Sequence, residues 1–306
     1  MRLVFMGTPE FAVPSLRALV GAGYEVCGVF TQPDRPKNRG MRLQPTSVKE
    51  YALTENIPVY QPEKLRSGQT LEILEGLAPE LIVVAAYGKL LPAEILELPR
   101  LGCINVHSSL LPRYRGAAPI NWAILNGERE SGVTIMHMAQ GLDTGDIILQ
   151  RATPITPEDT AQTLHDRLAQ LGAQLLLEAV DALGSGTAPR IPQDDAQSCY
   201  APMLSRELSP IDWGESAWHI HNQVRGLIPW PSATAEIDGV HCKIWKTAVL
   251  EERRAGAPGS IVQADKHGLK VLCGDGQVLA IEELQPDGKK RMAAAAFLLG
   301  HPIAAN

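Results

Sequence analysis

Cysteine is scarce in this 306-residue chain, and its placement excludes two kinds of site. The five cysteines are odd in number and widely spaced, and no two of them form a Cys-x-x-Cys pair. That arrangement argues against a disulfide framework and against a structural zinc site. We therefore expect the thiols to be reduced and the protein to need no metal. The cysteines are Cys27, Cys103, Cys199, Cys242 and Cys273.

Long apolar runs and an excess of positive charge are also lacking. No stretch reaches the roughly 20 apolar residues of a membrane-spanning helix, and the first residues lack the long apolar region of a signal peptide. Lys and Arg number 28 against 34 Asp and Glu, for a net charge of -6. Since no overall basic field would attract nucleic acid, any RNA-binding charge must be local. These features predict a cytoplasmic globular protein, and we expect it to be a monomer.

Apolar runs alternate with helical periodicity in the first part of the chain. A buried strand is predicted over Arg2–Met6, an amphipathic helix over Phe11–Val20, and a central parallel strand over the fully apolar Leu81–Ala86. The alternation predicts an α/β fold with a Rossmann-like, mostly parallel sheet covered by helices. In such sheets the working residues lie in loops at the carboxyl ends of the strands.

The character of the sequence changes near Gly184, where turn-forming residues replace the apolar pattern. We predict a catalytic domain over residues 1–189, a linker over 190–209 and a second domain over 210–306. After a helix at Ser216–Leu227, five closely spaced strands predict a small β-barrel of the OB-like type, with a β-sandwich as the alternative. The predicted strands are Ala233–Ile237, His241–Val249, Gly259–Gln263, Leu269–Cys273 and Val278–Leu284.

Asn105 and His107 are the first candidates for chemistry. They lie two residues apart at the end of a predicted strand, so their side chains point to the same face. An amide donor beside an imidazole is what acyl transfer requires, because one stabilises a developing oxyanion and the other handles a proton. A nearby carboxylate would fix the imidazole, and the glycine-flanked segment Gly141–Asp146 supplies both Asp143 and Asp146. Spacing alone does not choose between these two carboxylates.

A local concentration of positive charge follows the second predicted strand. Five basic residues stand against one acid, Glu50, in an otherwise acidic protein. Charge alone is compatible with a solvated loop, but a place beside the predicted active site favours contact with RNA. The basic residues are Arg35, Lys37, Arg39, Arg42 and Lys49.

Taken together, these segments resemble the formyltransferases that use 10-formyltetrahydrofolate. The resemblance is carried by Gly7–Ala12, Thr31–Asp34, Ala86–Gly88, Asn105–Pro112 and Gly141–Asp146. Within that group, the chain resembles the methionyl-tRNA formyltransferase family in particular. This closer resemblance is carried by Phe30–Pro36 with the basic loop after it, and by Asn222–Leu227 and Pro229–Pro231.

The resemblance implies a function and a set of site residues. The implied reaction moves a formyl group from 10-formyltetrahydrofolate, a co-substrate, to the methionine amino group of initiator tRNA. Asn105, His107 and Asp143 become the catalytic trio. The implied folate-binding residues are Ser109, Leu110, Leu111, Pro112, Tyr87, Gly88 and Leu90. The implied tRNA-binding residues are Arg39, Arg42 and Lys37. Further candidates in the second domain are Lys243, Lys246, Arg253, Arg254, Lys289, Lys290 and Arg291.

Three other functions remain open at this stage. A small-molecule formyltransferase would share the trio but would need neither the basic loop nor an RNA-docking domain. A hydrolase that releases formate would use the same site with water as the nucleophile. A non-catalytic RNA-binding module would leave Asn105, His107 and Asp143 without a purpose.

Overall fold

The computed structural model describes residues 1–37 and 42–303, without the side chains of Lys37 and Arg42. The chain divides into two compact units. The first consists of Met1–Gly116, Ser131–Thr153 and His165–Ala201, and the second of Ala117–Glu130, Pro154–Leu164 and the residues from Pro202 onward. Within the described ranges, no helix combines the length and the apolar character needed to cross a membrane.

Strands and helices alternate through the first part of the chain. The strands are β1 (Arg2–Gly7), β2 (Glu25–Phe30), β3 (Arg35–Lys37), β4 (Arg42–Gln44), β5 (Val59–Tyr60), β6 (Leu81–Ala85), β7 (Cys103–His107), β8 (Arg115–Gly116), β9 (Glu130–His137) and β10 (Ile147–Pro154). The helices are α1 (Val13–Gly21), α2 (Ser47–Thr54), α3 (Gly68–Leu77), α4 (Ala93–Leu96), α5 (Pro119–Leu125) and α6 (Ala161–Ser185).

Seven strands form the sheet of the first unit, in the order β10-β9-β7-β6-β1-β2-β5. The neighbours from β7 through β5 pair in parallel, whereas β9 runs antiparallel to β7. The central strand β6 is buried along its whole length, which is why it reads as an unbroken apolar run. The predicted mostly parallel α/β sheet is therefore confirmed.

Helix starts in this unit follow local chemistry. The Thr46 hydroxyl accepts a hydrogen bond from the Lys49 backbone N–H at the start of α2, and Ser67 does the same for Thr70 at the start of α3. These caps satisfy N–H groups that have no partner inside the helix.

The second unit is built on an antiparallel sheet. Strand β11 (Tyr200–Ala201) still belongs to the first unit, where it pairs in parallel with β8. The later elements of the second unit are α7 (Ala217–Gly226), β12 (Ala233–Ile237), β13 (Val240–Arg253), β14 (Ile261–Asp265), β15 (Gly268–Leu272), β16 (Gln277–Pro286), β17 (Met292–Ala293) and α8 (Ala294–Gly300). The sheet order is β12-β13-β16-β15-β14, with β17 beside β16. Register shifts interrupt the long β13–β16 pairing. All five predicted strands are present, and they form an antiparallel β-sheet domain. The OB-like barrel class stays a prediction.

Helix α7 holds two earlier segments of the chain in the second unit. The Asn121 amide donates to Gly226 O at 2.7 Å, and a Cβ on Gly226 would lie 3.0 Å from the Leu125 side chain. The Arg225 guanidinium donates to Thr156 O and Asp159 O, both at 3.0 Å. Segments 117–130 and 154–164 thus pack in the second unit, although the sequence analysis includes them in the catalytic domain. The boundaries at 189 and 210 themselves stay a prediction.

Candidate active site

Three loops at the carboxyl edge of the parallel sheet are tied together by hydrogen bonds. They follow β1, β2 and β6, which are neighbours in the sheet. The Thr8 hydroxyl donates to Tyr87 O at 3.0 Å. The Gln32 amide nitrogen donates to both Tyr87 O and Gly88 O, each at 3.1 Å. Gly88 adopts φ +77°, a left-handed conformation that favours glycine, and a Cβ there would lie 2.8 Å from that nitrogen.

The loop after β6 contains the predicted pterin-binding residues. Tyr87 is only 1 % exposed, and burial raises the pKa of its phenol to about 12. Its hydroxyl has no hydrogen-bond partner among the described residues. Leu90, in contrast, is 73 % exposed. The Tyr87 ring therefore lies in the core, whereas Ala86, Gly88 and the Leu90 side chain are exposed.

Asn105 and His107 lie on β7, directly beside that loop. Asn105 is the register partner of Val84 on β6 and of Met136 on β9. Its amide is half-buried and takes part in no hydrogen bond within residues 1–37 and 42–303. The His107 ring is 5 % exposed, and its Nε2 lies 3.0 Å from Tyr114 O. Because a carbonyl oxygen only accepts, Nε2 carries a proton.

Asp143 is the carboxylate that lies next to His107. Its Oδ2 is 3.7 Å from His107 Nδ1 and accepts a hydrogen bond from the Gly116 N–H at 2.9 Å. Both nitrogens of the imidazole therefore face oxygen atoms, which fixes the orientation of the ring. Asp146 instead pairs with Arg190 at 3.1 Å. The structure thus separates two carboxylates that spacing alone could not distinguish.

Backbone conformation explains how the chain turns Asp143 toward His107. Asp143 has φ 53°, in the left-handed region that Asp tolerates better than most residues. Gly145 passes so close to β9 that a Cβ would lie 1.7 Å from His137 O. Glycine is therefore required at 145, and it aligns the turn between β9 and β10.

The segment Ser109–Pro112 is anchored mainly through its own backbone and hydroxyl groups. The Ser109 hydroxyl donates to Arg113 O at 2.7 Å, and the Thr134 hydroxyl donates to Ser109 O at 2.7 Å. The Leu111 side chain is 3 % exposed and packs on Met136. Leu110 and Pro112 are half-buried. Of the four predicted folate residues, Ser109 and Leu111 point into the protein, and Leu110 and Pro112 remain partly accessible.

The base of the basic loop is ordered by a polar network. Lys49 Nζ contacts Asp34 Oδ2 at 2.6 Å and Gln61 Oε1 at 2.8 Å, and the Gln61 amide donates to Asp34 Oδ1 at 2.7 Å. Lys49, which the sequence analysis includes in the basic loop, is thus engaged within the fold. Strands β3 and β4 pair antiparallel, and Lys37 is the register partner of Arg42. Arg39 lies outside the described residues, as do the side chains of Lys37 and Arg42.

The seven basic candidates for RNA contact in the second unit fall into two groups. Four of them are engaged by oxygen atoms of the protein: Lys246 by Glu282, Arg254 by Glu252, Arg291 by Glu283, and Arg253 by the Asp275 carbonyl. Lys243, Lys289 and Lys290 have no ion-pair partner in the described part of the chain. Lys243 is the register partner of Gln285, whose amide donates to Lys289 O, so Lys243 and the turn at Lys289 lie near one strand end.

Sequence reasoning missed a hydrogen-bonded support around the Asp143 loop. Gln193 lies in the predicted linker, yet its amide nitrogen donates to Asp143 O at 2.9 Å and to Gly145 O at 2.7 Å. Arg115 in turn donates to Gln193 Oε1. No local motif marks Gln193, because its partners are about 50 and 80 residues away in the chain.

The described residues offer no cluster of metal ligands. No group of three or more His, Cys, Asp or Glu side chains there could hold a metal ion. All five cysteines are free thiols. The expectation of a metal-free site stays a prediction.

Two family models match the chain. The model described as formyl transferase matches residues 1–180, and the formyl transferase C-terminal domain matches residues 203–302. Among solved structures, WlaRD, a sugar 3N-formyl transferase in the presence of dTDP and 5-N-formyl-THF, aligns with a TM-score of 0.70 and 20% identity over 95% of this chain and 99% of that chain. The N-formyltransferase of Helicobacter canadensis, in complex with folinic acid and dTDP-3-aminofucose, aligns with a TM-score of 0.69 and 22% identity, over 93% of this chain and 98% of that chain. The fold and the matched regions define a formyl transferase.

Curated relatives show which family of formyl transferases the chain resembles in sequence. The methionyl-tRNA formyltransferase of Trichlorobacter lovleyi is 52% identical over 303 residues, covering 99% of this chain and 95% of the relative. That of Pelobacter propionicus is 53% identical over 302 residues, covering 99% and 94%. The chain belongs to the methionyl-tRNA formyltransferase family.

Proposed function

We propose that this protein transfers the formyl group of 10-formyltetrahydrofolate to the free amino group of methionine on initiator methionyl-tRNA, giving N-formylmethionyl-tRNA for translation initiation in the cytoplasm. The observation that carries the proposal is the grouping of Asn105, His107 and Asp143 at the carboxyl edge of the sheet. Family membership supports the same reaction.

Asn105 is proposed to stabilise the charge that develops on the formyl oxygen. Its amide projects from β7 and makes no hydrogen bond to the described protein, so its N–H groups are available to a substrate. When the methionine amine attacks the formyl carbon, a new C–N bond forms and the carbonyl oxygen becomes an oxyanion. A donor fixed in advance at that position stabilises the transition state more than water does.

His107 is proposed to assist collapse of the tetrahedral intermediate with Asp143. The C–N10 bond to the folate breaks, the proton lost by the methionine amine is transferred within the site, and N10 leaves as a neutral amine. Oxygen atoms face both nitrogens of His107, at 3.0 Å and 3.7 Å, which favours positive charge on the ring as the proton moves. The Asp143 carboxylate lies close enough to stabilise that charge in a site where the ring is nearly solvent-free.

The folate co-substrate is proposed to bind beside Asn105, against the loop after β6. Tyr87, Gly88 and Leu90 would contribute mainly through backbone groups and the exposed Leu90 side chain, because the Tyr87 ring is buried. Ser109, Leu110, Leu111 and Pro112 would form the opposite wall. Ser109 and Leu111 would shape it by holding the backbone in place, whereas Leu110 and Pro112 would offer surface.

Transfer RNA is proposed to contact two basic regions. Arg39, Arg42 and Lys37 would meet the acceptor end, since β3 and β4, which flank Arg39 in the sequence, follow β2 at the carboxyl edge of the sheet. In the second unit, Lys243, Lys289 and Lys290 are the better phosphate contacts. The four basic side chains that already contact protein oxygens would have to give up those contacts first.

A transfer assay with formyl-labelled 10-formyltetrahydrofolate tests the proposed reaction. The label should appear on charged initiator methionyl-tRNA, and neither on a sugar amine nor, with buffer alone, as formate at a comparable rate. Transfer to the sugar amine would instead indicate a small-molecule formyltransferase. Release of formate at the full rate without an acceptor would indicate a hydrolase.

Arg39 provides a separate test of tRNA recognition. Arg39 is proposed to read the weak or unpaired first base pair that marks the acceptor stem of an initiator tRNA. Arg39→Leu should sharply lower kcat/KM for initiator tRNA and reduce discrimination against elongator tRNA, with folate binding intact. Lys37→Ala should have a mild, salt-dependent effect that is the same for both tRNAs. Unchanged kcat/KM in Arg39→Leu would reject this role.

A further inference from the structure

Gln193 connects the two loops that flank the imidazole of His107. Its amide nitrogen donates to Asp143 O at 2.9 Å and to Gly145 O at 2.7 Å. Its amide oxygen accepts from Arg115 Nε at 3.1 Å and from the terminal guanidinium nitrogen at 2.8 Å. A single half-buried side chain thus joins the turn that carries Asp143 to the segment Arg115–Gly116.

The orientation of this amide is fixed by chemistry. Exchanging its oxygen and nitrogen would place an acceptor against two carbonyl oxygens and a donor against a guanidinium, which has no acceptor. Only the observed orientation satisfies all four contacts. The Gln193 amide therefore links the two segments in one orientation: its nitrogen donates to the carbonyls of Asp143 and Gly145, and its oxygen accepts from Arg115.

Both joined segments act directly on the catalytic carboxylate. The Gly116 N–H donates to Asp143 Oδ2 at 2.9 Å, and Arg115 immediately precedes it in the chain. The same Oδ2 is 3.7 Å from His107 Nδ1. Since Asp143 sits in a left-handed backbone conformation at φ 53°, the carbonyl groups of its turn need fixed donors to keep this geometry.

We propose that Gln193 is a positioning residue for catalysis, which holds the Asp143 carboxylate against His107 and the Gly116 N–H. This inference rests on the proposed roles of His107 and Asp143. Gln193 itself does not touch the His107 ring, so its effect must pass through Asp143. The segment around it, predicted as a linker, then contributes to the active site.

Three variants separate this role from general support of the fold. Gln193→Ala removes both the amide nitrogen and the amide oxygen. Gln193→Glu keeps an acceptor for Arg115 but places a carboxylate oxygen against the Asp143 and Gly145 carbonyls. Gln197→Ala is the matched control, because Gln197 lies in the same segment and its amide donates to Asp194 Oδ2, and to no other of the described residues. Each variant is assayed for kcat, for both KM values and for Tm.

We expect kcat to fall about tenfold in Gln193→Ala, since displacement of a catalytic group by about 1 Å can cost up to about 10²-fold. In Gln193→Glu, kcat should fall by at least the same factor, although the contact with Arg115 is kept. KM for folate and for tRNA should stay within about twofold, and Gln197→Ala should match the wild type. In an Asp143→Ala background, Gln193→Ala should cause no further loss, because the carboxylate that it positions is gone.

Several results would overturn the proposal. Wild-type kcat in Gln193→Glu would mean that only the hydrogen bonds of Gln193 with Arg115 matter for catalysis, and not those with the Asp143 turn. An equal loss in the Asp143→Ala background would mean that Gln193 supports the fold and not the carboxylate. If Gln193→Ala fails to fold, Gln193→Glu decides the matter by itself. Wild-type activity in Asp143→Ala would instead reject the proposed role of Asp143, so the two failures are distinguishable.

Discussion

The Arg225→Met substitution tests whether the motif Asn222–Leu227 is a structural clasp of the second unit. The Arg225 side chain is 7 % exposed and donates to Asn222 Oδ1 through two nitrogens, at 2.9 and 2.8 Å. A third nitrogen donates to Thr156 O and Asp159 O, both at 3.0 Å. Burial lowers the pKa of the guanidinium, with Asp159 and Glu158 acting in the opposite direction. Methionine keeps much of the apolar stem and removes every donor.

The expected cost follows from the acceptors left behind. Three oxygen atoms lose their donors, and two of them, Asn222 Oδ1 and Asp159 O, belong to buried residues. Each buried acceptor left unsatisfied costs about 1–3 kcal/mol. Partial hydration and relief of the buried charge offset part of this, so we expect a net loss of about 3–5 kcal/mol, as when a buried charge interaction is broken. The second unit has about 130 residues, and for a unit of that size each kcal/mol shifts Tm by about 3–5 °C, so Tm of the second unit should fall by about 10–20 °C.

Differential scanning calorimetry measures this loss, with Arg254→Met as the matched control. Arg254 makes an exposed ion pair with Glu252 in the same unit, and such a pair contributes about 0–1 kcal/mol. Arg254→Met should therefore change Tm by only about 2 °C. If the two variants melt at the same temperature, the clasp does not stabilise the unit.

Three further predictions concern catalysis, RNA and acid. Asp143→Ala should lower kcat by about 10²-fold or more, while kcat of Asp146→Ala stays near that of the wild type. A larger loss in Asp146→Ala would mean that Asp146, and not Asp143, is the catalytic carboxylate. Lys289→Ala should reduce the slope of the logarithm of the tRNA-binding constant against the logarithm of salt concentration by about 1. Lys246→Ala should change this slope less, because the Lys246 ammonium group is already paired with Glu282. Equal slopes in the two variants would mean that Lys289 does not contact tRNA. Burial lowers the pKa of His137 in the folded protein. The unfolded chain therefore binds a proton at this residue near pH 6.5, where the folded protein does not. Stability is lost as the pH falls from about 6.5 toward the folded pKa. His137→Gln should flatten Tm against pH between pH 7 and 5.5, and a slope identical to that of the wild type would contradict this.

Periodicity predicts the sheet and the position of its working edge because both depend on local patterns. The apolar run at Leu81–Ala85 needs no distant information to be recognised as a buried strand. Period two likewise puts Asn105 and His107 on one face of β7. The short helix α5 was not predicted, since its seven residues sit between two regions of stronger pattern.

The surroundings of the site depend on contacts that span the chain. The choice of Asp143 over Asp146 rests on a left-handed backbone and on the approach of Gly145 to His137 O. Gln193 reaches Asp143 across 50 residues from a segment that looks like a linker. Such contacts appear only once the fold is formed, because no local spacing encodes them.

Lys49 shows the same limit for charge. In the sequence it adds to a basic loop, but in the structure its ammonium group contacts Asp34 at 2.6 Å. A count of charges along the chain cannot anticipate which of them are already paired. The basic residues of the second unit divide in the same way between engaged and available side chains.

The most direct test of the central claim is the single-turnover rate of formyl transfer to initiator methionyl-tRNA, measured at saturating 10-formyltetrahydrofolate for the wild type, Asn105→Ala and His107→Ala. Loss of an oxyanion donor typically costs about 10²–10³ in rate. We predict a fall of that order in each variant, with binding of both substrates nearly unchanged and with the double variant falling short of the product of the two single effects. A His107→Ala enzyme that transfers the formyl group at the wild-type rate would contradict the account.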